Sequence, residues 1–157
     1  YNAEVNNIKL KGETSVLASP ELDSWTVLTS HQGIFKISSI WSAKPRIVYN
    51  NTDLLKSPII YRGKEPKNNV ELQTAIDWIY THNFLPTIKL MQILQLTDIE
   101  YYLFSDYQTS DIPSHAVGIG ANANLKLLGL KPLDFGIYIA EDGEDGNHFG
   151  WNINLIF

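Results

Sequence analysis

The C-terminal stretch Phe135–Phe157 reads FGIYIAEDGEDGNHFGWNINLIF, and it carries the clearest structural pattern in the chain. Two apolar runs, Gly136–Ala140 and Trp151–Phe157, flank a loop of acidic residues, glycines, an asparagine and a histidine. In the second run apolar and polar residues alternate, which is the period of a β-strand with one buried face. Gly143 and Gly146 can adopt the positive φ angles that a tight reversal needs. The stretch therefore predicts a β-hairpin whose last strand runs to Phe157.

Composition sets the limits for the whole chain. With 157 residues and 44% apolar content, the chain has the size and core-forming capacity of one domain, 1–157. Since it opens on Tyr1, we expect a fragment or a processed part of a longer polypeptide. The net charge of −5 argues against nucleic-acid binding, and the absence of cysteine excludes disulfides and thiolate metal sites. No apolar run approaches the length of a membrane helix, so we expect no membrane insertion.

Upstream of the C-terminal hairpin, short runs of β-forming residues recur between turn signals. Residues 7–11 (NIKLK) alternate, and Trp25–Thr29 and Ile34–Trp41 flank the polar break Ser30–Gly33, a pattern typical of a second hairpin. Residues 58–61 (PIIY) read as another short strand. These runs indicate a chain made mainly of antiparallel strands.

One segment has the pattern of a helix instead. Asn68 is a suitable N-cap, and Glu71 follows it at the capping-box position. Apolar residues then recur with helical spacing at Leu72, Ala75, Ile76 and Ile79. We therefore predict a helix over 70–83. The expected fold class is mainly β (α+β): an antiparallel β-sandwich or sheet with one amphipathic helix packed on it.

The residues from Leu22 to Gly63 resemble a known kind of module. LDSWTVLTSHQGIFKIS at the head of this stretch and LLKSPIIYRG at its tail are similar to the knob-like, receptor-binding modules of phage tail fibres and pyocin fibres. The resemblance implies a non-enzymatic structural domain of a virion or tail fibre, located on the virion or extracellularly. It also implies a homotrimer that attaches to a glycan or protein of the host surface.

Aromatic side chains are the best candidates for such a binding surface, because they offer large, rigid contact areas that suit sugar stacking. Tyr101, Tyr102 and Tyr107 surround a polar loop and are expected to face outward, and His148 and Trp151 follow the acidic loop near the chain end. We predict these five as ligand-binding residues. No catalytic residue, metal site or cofactor is predicted.

The acidic loop Glu141–Asn147 is the one candidate for a metal. Closely spaced carboxylates suit Ca²⁺, but the spacing differs from the known calcium loop, so we expect a solvated hairpin tip. A hydrolase using the carboxylates of Glu141–Asp145 is an alternative function. A second hydrolytic arrangement would combine Asp106 or Asp111 with His115 and Ser114, without any nucleophile motif around them.

A third alternative is an outer-membrane β-barrel. The alternating run Trp151–Phe157 ends on an aromatic residue and resembles the assembly signal of such barrels. The predicted helix and the scarcity of ten-residue alternating strands argue against this alternative.

Overall fold

The computed structural model describes residues 1–19, 24–50, 61–63, 71–90, 93–109, 113–127, 131–143 and 146–155. These residues form one antiparallel sheet of nine strands. The strands are β1 (Asn2–Val5), β2 (Ile8–Ser19), β3 (Ser24–Lys36), β4 (Trp41–Asn50), β5 (Leu72–Lys89), β6 (Leu94–Thr109), β7 (Ser114–Leu127), β8 (Lys131–Asp142) and β9 (Gly146–Leu155).

The order of the strands in the sheet is their order in the sequence, so each strand pairs with its chain neighbours. The predicted C-terminal hairpin is confirmed as β8 and β9, with Ile137 opposite Trp151 in the register. Gly146 has a φ of 81°, as a tight reversal requires, and it begins β9. A single meandering sheet replaces the alternative of two sheets packed as a sandwich.

The prediction of a helix over 70–83 is wrong. The segment from Leu72 to Lys89 is β5, the longest strand, and the described part of the chain contains no helix. Of the apolar residues assigned to the helix face, Leu72 and Ile76 lie on one face of β5, whereas Ile79 lies buried on the other. Because apolar residues occupy both faces of this strand, their combined spacing imitates the period of a helix.

The predicted hairpin around Ser30–Gly33 is also wrong. Ser24–Lys36 is one continuous strand that pairs with β2 from Ser24 to Phe35, and His31 lies opposite Gly12. The strand pattern at 7–11 is confirmed within β2, which is longer than expected. Residues 58–60 of the PIIY segment lie outside the described residues, and Tyr61 is not in a strand.

The two faces of the sheet differ in an unusual way. On one face of β5 to β8, charged and amide side chains are buried, including Gln73, Asp77, Asp106, Gln108 and Asp142. We call this the polar face. Its apolar core is small and consists of Ile79, Tyr102, Phe104 and Ala140, with Tyr138 packed against them. Buried ionisable groups are rare in water-soluble domains unless they are paired.

The opposite face, which we call the apolar face, carries large apolar side chains that are exposed. In β5 to β9 these side chains are 40% to 69% exposed, and they are Trp78, Tyr101, Leu103, Val117, Ile119, Phe135, Ile137, Ile139, Phe149, Trp151 and Ile153. The expectation that the apolar side of the terminal strand is buried is therefore wrong. Trp151 and Ile153 are 65% and 56% exposed, although they do alternate as predicted.

Within the described ranges, the structure contains no helix of the length and apolarity needed to cross a bilayer.

Candidate functional site

A short segment between β4 and β5, residues 61–63, lies against the polar face and brings a cation to it. Arg62 reaches two strands at once: its guanidinium contacts Asp106 on β6 and Asp77 on β5. The Arg62 side chain is 12% exposed and the Asp106 side chain is completely buried. These contacts make Arg62 the centre of the candidate site, which we call the ion network.

Asp106 receives three hydrogen bonds from Arg62. The backbone N–H of Arg62 donates to Oδ2 at 2.9 Å, Nε donates to the same oxygen at 2.8 Å, and Nη2 donates to Oδ1 at 2.6 Å. Both carboxylate oxygens are therefore engaged by one residue. Such a two-pronged, charge-assisted pairing fixes geometry better than a single ion pair does.

Asp77 is shared between two arginines. Arg46 on β4 donates from Nη2 to both carboxylate oxygens of Asp77, at 2.9 Å and 3.0 Å, and Arg62 donates to Oδ1 at 2.5 Å. The network thus contains two cations and two anions, so its charges balance. It joins β4, β5 and β6 through the segment that carries Arg62.

Arg62 lies outside the strands, and its contacts determine the direction in which its pKa is shifted. Burial acts to lower the pKa of Arg62, but the hydrogen bond to Asp106 and the charge of Asp77 act against burial, and the net pKa is raised. Arg62 is therefore a cation at neutral pH.

The residues that flank Arg62 hold the segment in place. The Tyr61 hydroxyl donates to Oδ2 of Asp142 on β8 at 2.7 Å, and the Tyr61 backbone N–H donates to Gln73 on β5 at 3.3 Å. At Gly63, a Cβ atom would overlap the Asp142 carboxylate and the Tyr61 ring, so the close approach requires glycine. Three successive residues thus fit against the polar face, with Tyr61 and Gly63 at Asp142 and Arg62 at the two other aspartates.

Aromatic rings surround the network. The guanidinium carbon of Arg62 lies 3.7 Å from the centroid of the Phe104 ring, a cation–π contact. Phe104 in turn lies over Gly118 of the next strand, and Tyr102 lies over Gly120 in the same way. The glycines leave room for rings to lie flat along the sheet, which shields the network on the polar face.

The five predicted ligand-binding residues do not form one surface. Tyr101, Tyr107 and Trp151 lie on the apolar face and are 51%, 38% and 65% exposed. Tyr102, expected to face outward, lies buried on the polar face, because adjacent residues of a strand point to opposite sides. His148 also lies on the polar face, where its Nε2 atom is buried without a hydrogen-bond partner.

The residues considered for hydrolysis are also separated by the sheet. Asp106 lies on the polar face and is bonded to Arg62, whereas His115 is on the apolar face, where its Nε2 atom lies 3.0 Å from Oγ of Ser105. Asp111, Glu144 and Asp145 lie outside the described residues. Among the residues that are described, no group of three or more metal-ligating side chains is close enough to hold an ion.

The residues of the ion network were missed at the level of sequence. The helix predicted over 70–83 would turn Asp77 away from its apolar face, and no recognisable motif surrounds Arg46 or Arg62. A strand interpretation of β5 places Asp77 on the same face as Gln73 and Ile79. The available signal was that Gln73 and Asp77, two polar residues, lie on the same face of one long strand.

No protein-family model, curated protein or solved structure matches the chain. Functional arguments therefore rest on the contacts above and on the character of the two faces. Both carboxylates of the ion network accept hydrogen bonds from arginine, and this suits the network to fastening a segment onto the sheet rather than to turning over a substrate.

Proposed function

We propose that this chain forms nine consecutive strands in the wall of an outer-membrane β-barrel. The apolar face would contact lipid, and the polar face would face the interior, where the segment around Arg62 is fastened. The proposal rests on the distribution of buried and exposed side chains over the two faces, which is the reverse of that in a water-soluble domain. Charged residues such as Asp106 are buried, while large apolar residues such as Ile119 and Trp151 are exposed.

Water is a poor solvent for the apolar face. Soluble monomers rarely expose a continuous apolar patch larger than a few hundred Å². Here the exposed apolar side chains follow one another across paired strands, as in the cross-strand row Trp78, Leu103, Ile119, Ile139 and Phe149. Hydrocarbon removes the cost of this exposure, because lipid chains are as apolar as the side chains themselves.

The length of the strands supports the same proposal. A tilted strand needs about 9–11 residues to cross a bilayer. Eight of the strands in the described sheet have between 10 and 18 residues. Two expectations argued against a barrel, namely a helix over 70–83 and a scarcity of long strands. The described residues contain no helix, and most of their strands are long.

Three aromatic residues cluster on the apolar face, at the first residue of β4 and in the middle of β5 and β6. The rings of Trp41 and Tyr80 are 5.2 Å apart between centroids, and those of Tyr80 and Tyr101 are 6.4 Å apart. These three residues lie side by side on neighbouring strands, near one end of β4. Tryptophan and tyrosine are enriched where membrane proteins cross from hydrocarbon to headgroups.

The receptor-binding interpretation stays a prediction, and it differs from the proposal in a measurable respect. A trimeric host-attachment domain would leave the apolar face in water or against other subunits, whereas a barrel wall places it in lipid. Exposed aromatic side chains such as Tyr101 and Trp151 are compatible with both functions. The two functions can therefore be distinguished by measuring whether lipid or water contacts the apolar face.

Two single-cysteine variants test the proposal, since the chain contains no other thiol. Ile119→Cys places the label on the apolar face of β7, and Asn122→Cys is the matched control on the polar face of the same strand. After refolding with phospholipid vesicles, a fluorophore at 119 should be quenched by lipid-borne nitroxide. The fluorophore at 122 should not be quenched in that way. Failure of the chain to float with vesicles, or equal lipid quenching at both positions, would contradict the proposal.

A further inference from the structure

We infer that the apolar face carries an acyl-hydrolase site built from Ser105, His115 and Glu141, and that its substrate is the carboxylic ester of a membrane phospholipid. The inference rests on the proposed function, because the site meets this substrate only if the apolar face lies in lipid. None of the three residues belongs to the ion network.

A serine and a histidine are hydrogen-bonded to each other on the apolar face. The distance between Oγ of Ser105 on β6 and Nε2 of His115 on β7 is 3.0 Å. His115 is exposed and Ser105 is half-buried, so a ligand can reach both side chains. A serine hydroxyl is a weak nucleophile until an adjacent base takes its proton, and histidine is the base that most often does so. This pair, which we call the dyad, therefore supplies the nucleophile and the base of an acyl transfer.

The strand register brings a carboxylate to the other side of the same histidine. Val117 follows His115 by two residues on β7, and it lies opposite Ser105 on β6 and opposite Glu141 on β8. His115 therefore has Ser105 as its diagonal neighbour on one side and Glu141 on the other, all on one face. Diagonal neighbours in a sheet are about 7–8 Å apart, a distance that long side chains can span. A carboxylate at Nδ1 of His115 would hold the imidazole with Nε2 available for the serine proton.

The position of the dyad in the sheet indicates the class of substrate. His115 is the second residue of β7, so the dyad lies close to the end of that strand. Leu103 and Ile119, further along the same two strands and on the same face, are apolar and 60% and 58% exposed. The ends of strands that cross a bilayer lie near its headgroup region, and the middle of each strand lies in hydrocarbon. A phospholipid ester, which joins the acyl chain to the headgroup side of the molecule, would therefore lie at the depth of the dyad.

The reaction is a two-step transfer of the acyl group to water. Oγ of Ser105 bonds to the ester carbonyl carbon while its proton passes to Nε2 of His115. Tyr107, directly opposite His115 on the same face, carries a hydroxyl that can donate to the resulting oxyanion. The bond between the carbonyl carbon and the glycerol oxygen then breaks, and that oxygen takes the proton from Nε2, so a lysophospholipid leaves. Water attacks the acyl-serine and gives a proton to Nε2, the bond to Oγ breaks, the proton returns to Oγ, and a fatty acid leaves.

Fatty-acid release from phosphatidylcholine vesicles that contain the refolded chain tests the inference. Free fatty acid and lysophospholipid are measured by mass spectrometry, and we expect the two products in equal amounts. Ser105→Ala and His115→Ala should each lower the rate at least about 100-fold. Ser114→Ala is the matched control, because this serine is adjacent to His115 but lies on the polar face, and its rate should be unchanged.

Two further measurements identify the roles of single residues. A fluorophosphonate probe should modify Ser105 and not Ser114, as located by mass spectrometry of the labelled chain. Glu141→Gln and Tyr107→Phe should each lower kcat at least about tenfold without changing KM. Glu141→Asp should restore part of the lost kcat, as expected for a carboxylate that positions the histidine.

Three results would overturn the inference: product that does not exceed that of protein-free vesicles, an unchanged rate in Ser105→Ala, or a fluorophosphonate adduct on Ser114 in place of Ser105. The labels at 119 and 122 report insertion separately, so these results are distinguishable from failure of the proposed function. A chain that inserts but does not hydrolyse lipid contradicts the acyl-hydrolase site alone. A chain that does not insert contradicts the proposed function, and the membrane ester as substrate with it.

Discussion

Replacing Ile119 with arginine should have opposite consequences in lipid and in water. Ile119 lies on the apolar face of β7, near the middle of that strand, with Leu103 and Ile139 directly opposite on the two neighbouring strands. These neighbours are themselves apolar and 60% and 53% exposed, so neither residue offers a carboxylate to a new cation. The side chain of an arginine at 119 would therefore contact either lipid or water, depending on which of them covers the apolar face.

The expected magnitude follows from that solvent. Ile119 is 58% exposed, and surface substitutions in water usually change stability by less than about 0.5 kcal/mol. On the lipid face of a barrel, an arginine near the bilayer midplane costs about 2–4 kcal/mol. The account thus predicts a destabilisation several times larger than a water-exposed face would allow.

Urea unfolding of the vesicle-bound chain measures this difference. With a denaturant slope of about 2 kcal/mol per M, the unfolding midpoint of Ile119→Arg should fall by roughly 1–2 M. Asn122→Arg, on the polar face of the same strand, is the control and should shift the midpoint much less. A change below about 0.5 kcal/mol at 119, or an equal change at both positions, would refute a lipid-facing sheet.

Three further substitutions test the polar face by the same unfolding assay. Arg62→Ala should cost about 3–5 kcal/mol because it leaves the buried carboxylate of Asp106 without a cation, whereas Asp77 keeps Arg46. Lys9→Ala, which breaks an exposed ion pair, should cost less than about 1 kcal/mol, and comparable losses in these two variants would contradict the central role of the ion network. Tyr61→Phe should cost about 1–3 kcal/mol through the lost hydrogen bond to a buried carboxylate, and a neutral effect would show that the segment is not held there. Gly120→Ala should destabilise by about 1–3 kcal/mol through overlap with the Tyr102 ring, and full stability would mean that the ring does not rest on that strand.

The sequence pattern predicted strands correctly where the apolar residues are typical of a strand. It led to a wrong prediction where apolar residues occupy both faces of one strand. β9 was predicted because Trp151 and Ile153 alternate with asparagines, and β8 because the apolar run Gly136–Ala140 precedes it across a glycine-containing loop. β5 was mistaken for a helix because Leu72, Ile76 and Ile79 come from opposite faces of one strand. Without the pairing partners β4 and β6, their spacing fits the helical period equally well.

The sequence also could not tell which face of each strand is covered. Alternation divides residues into two sets, but assigning the apolar set to the interior assumes that water is the solvent. Trp151 and Ile153 were assigned to the buried side on that assumption, and both are exposed. The burial of polar residues such as Asp77 and Asp106 in the structure identifies the other face as the covered one.

The ion network could not be predicted from the sequence, for a different reason. Arg62 and Asp106 are 44 positions apart, and Tyr61 and Asp142 are 81 positions apart. Neither pair belongs to a motif with fixed spacing, so only the order and register of the strands bring these residues together. The sequence does contain a local hint, since Arg62 stands between an aromatic residue and a glycine, which suits a tightly fitted segment.

Quenching of the intrinsic tryptophan fluorescence by brominated phospholipids tests the central claim most directly. Trp41, Trp78 and Trp151 all lie on the apolar face and are 48% to 65% exposed, so no label is needed. With bromine placed along the acyl chains, the account predicts strong quenching that the Trp78→Phe and Trp151→Phe variants reduce. Fluorescence that brominated lipid leaves unchanged, while aqueous iodide quenches it fully, would contradict a sheet that faces lipid.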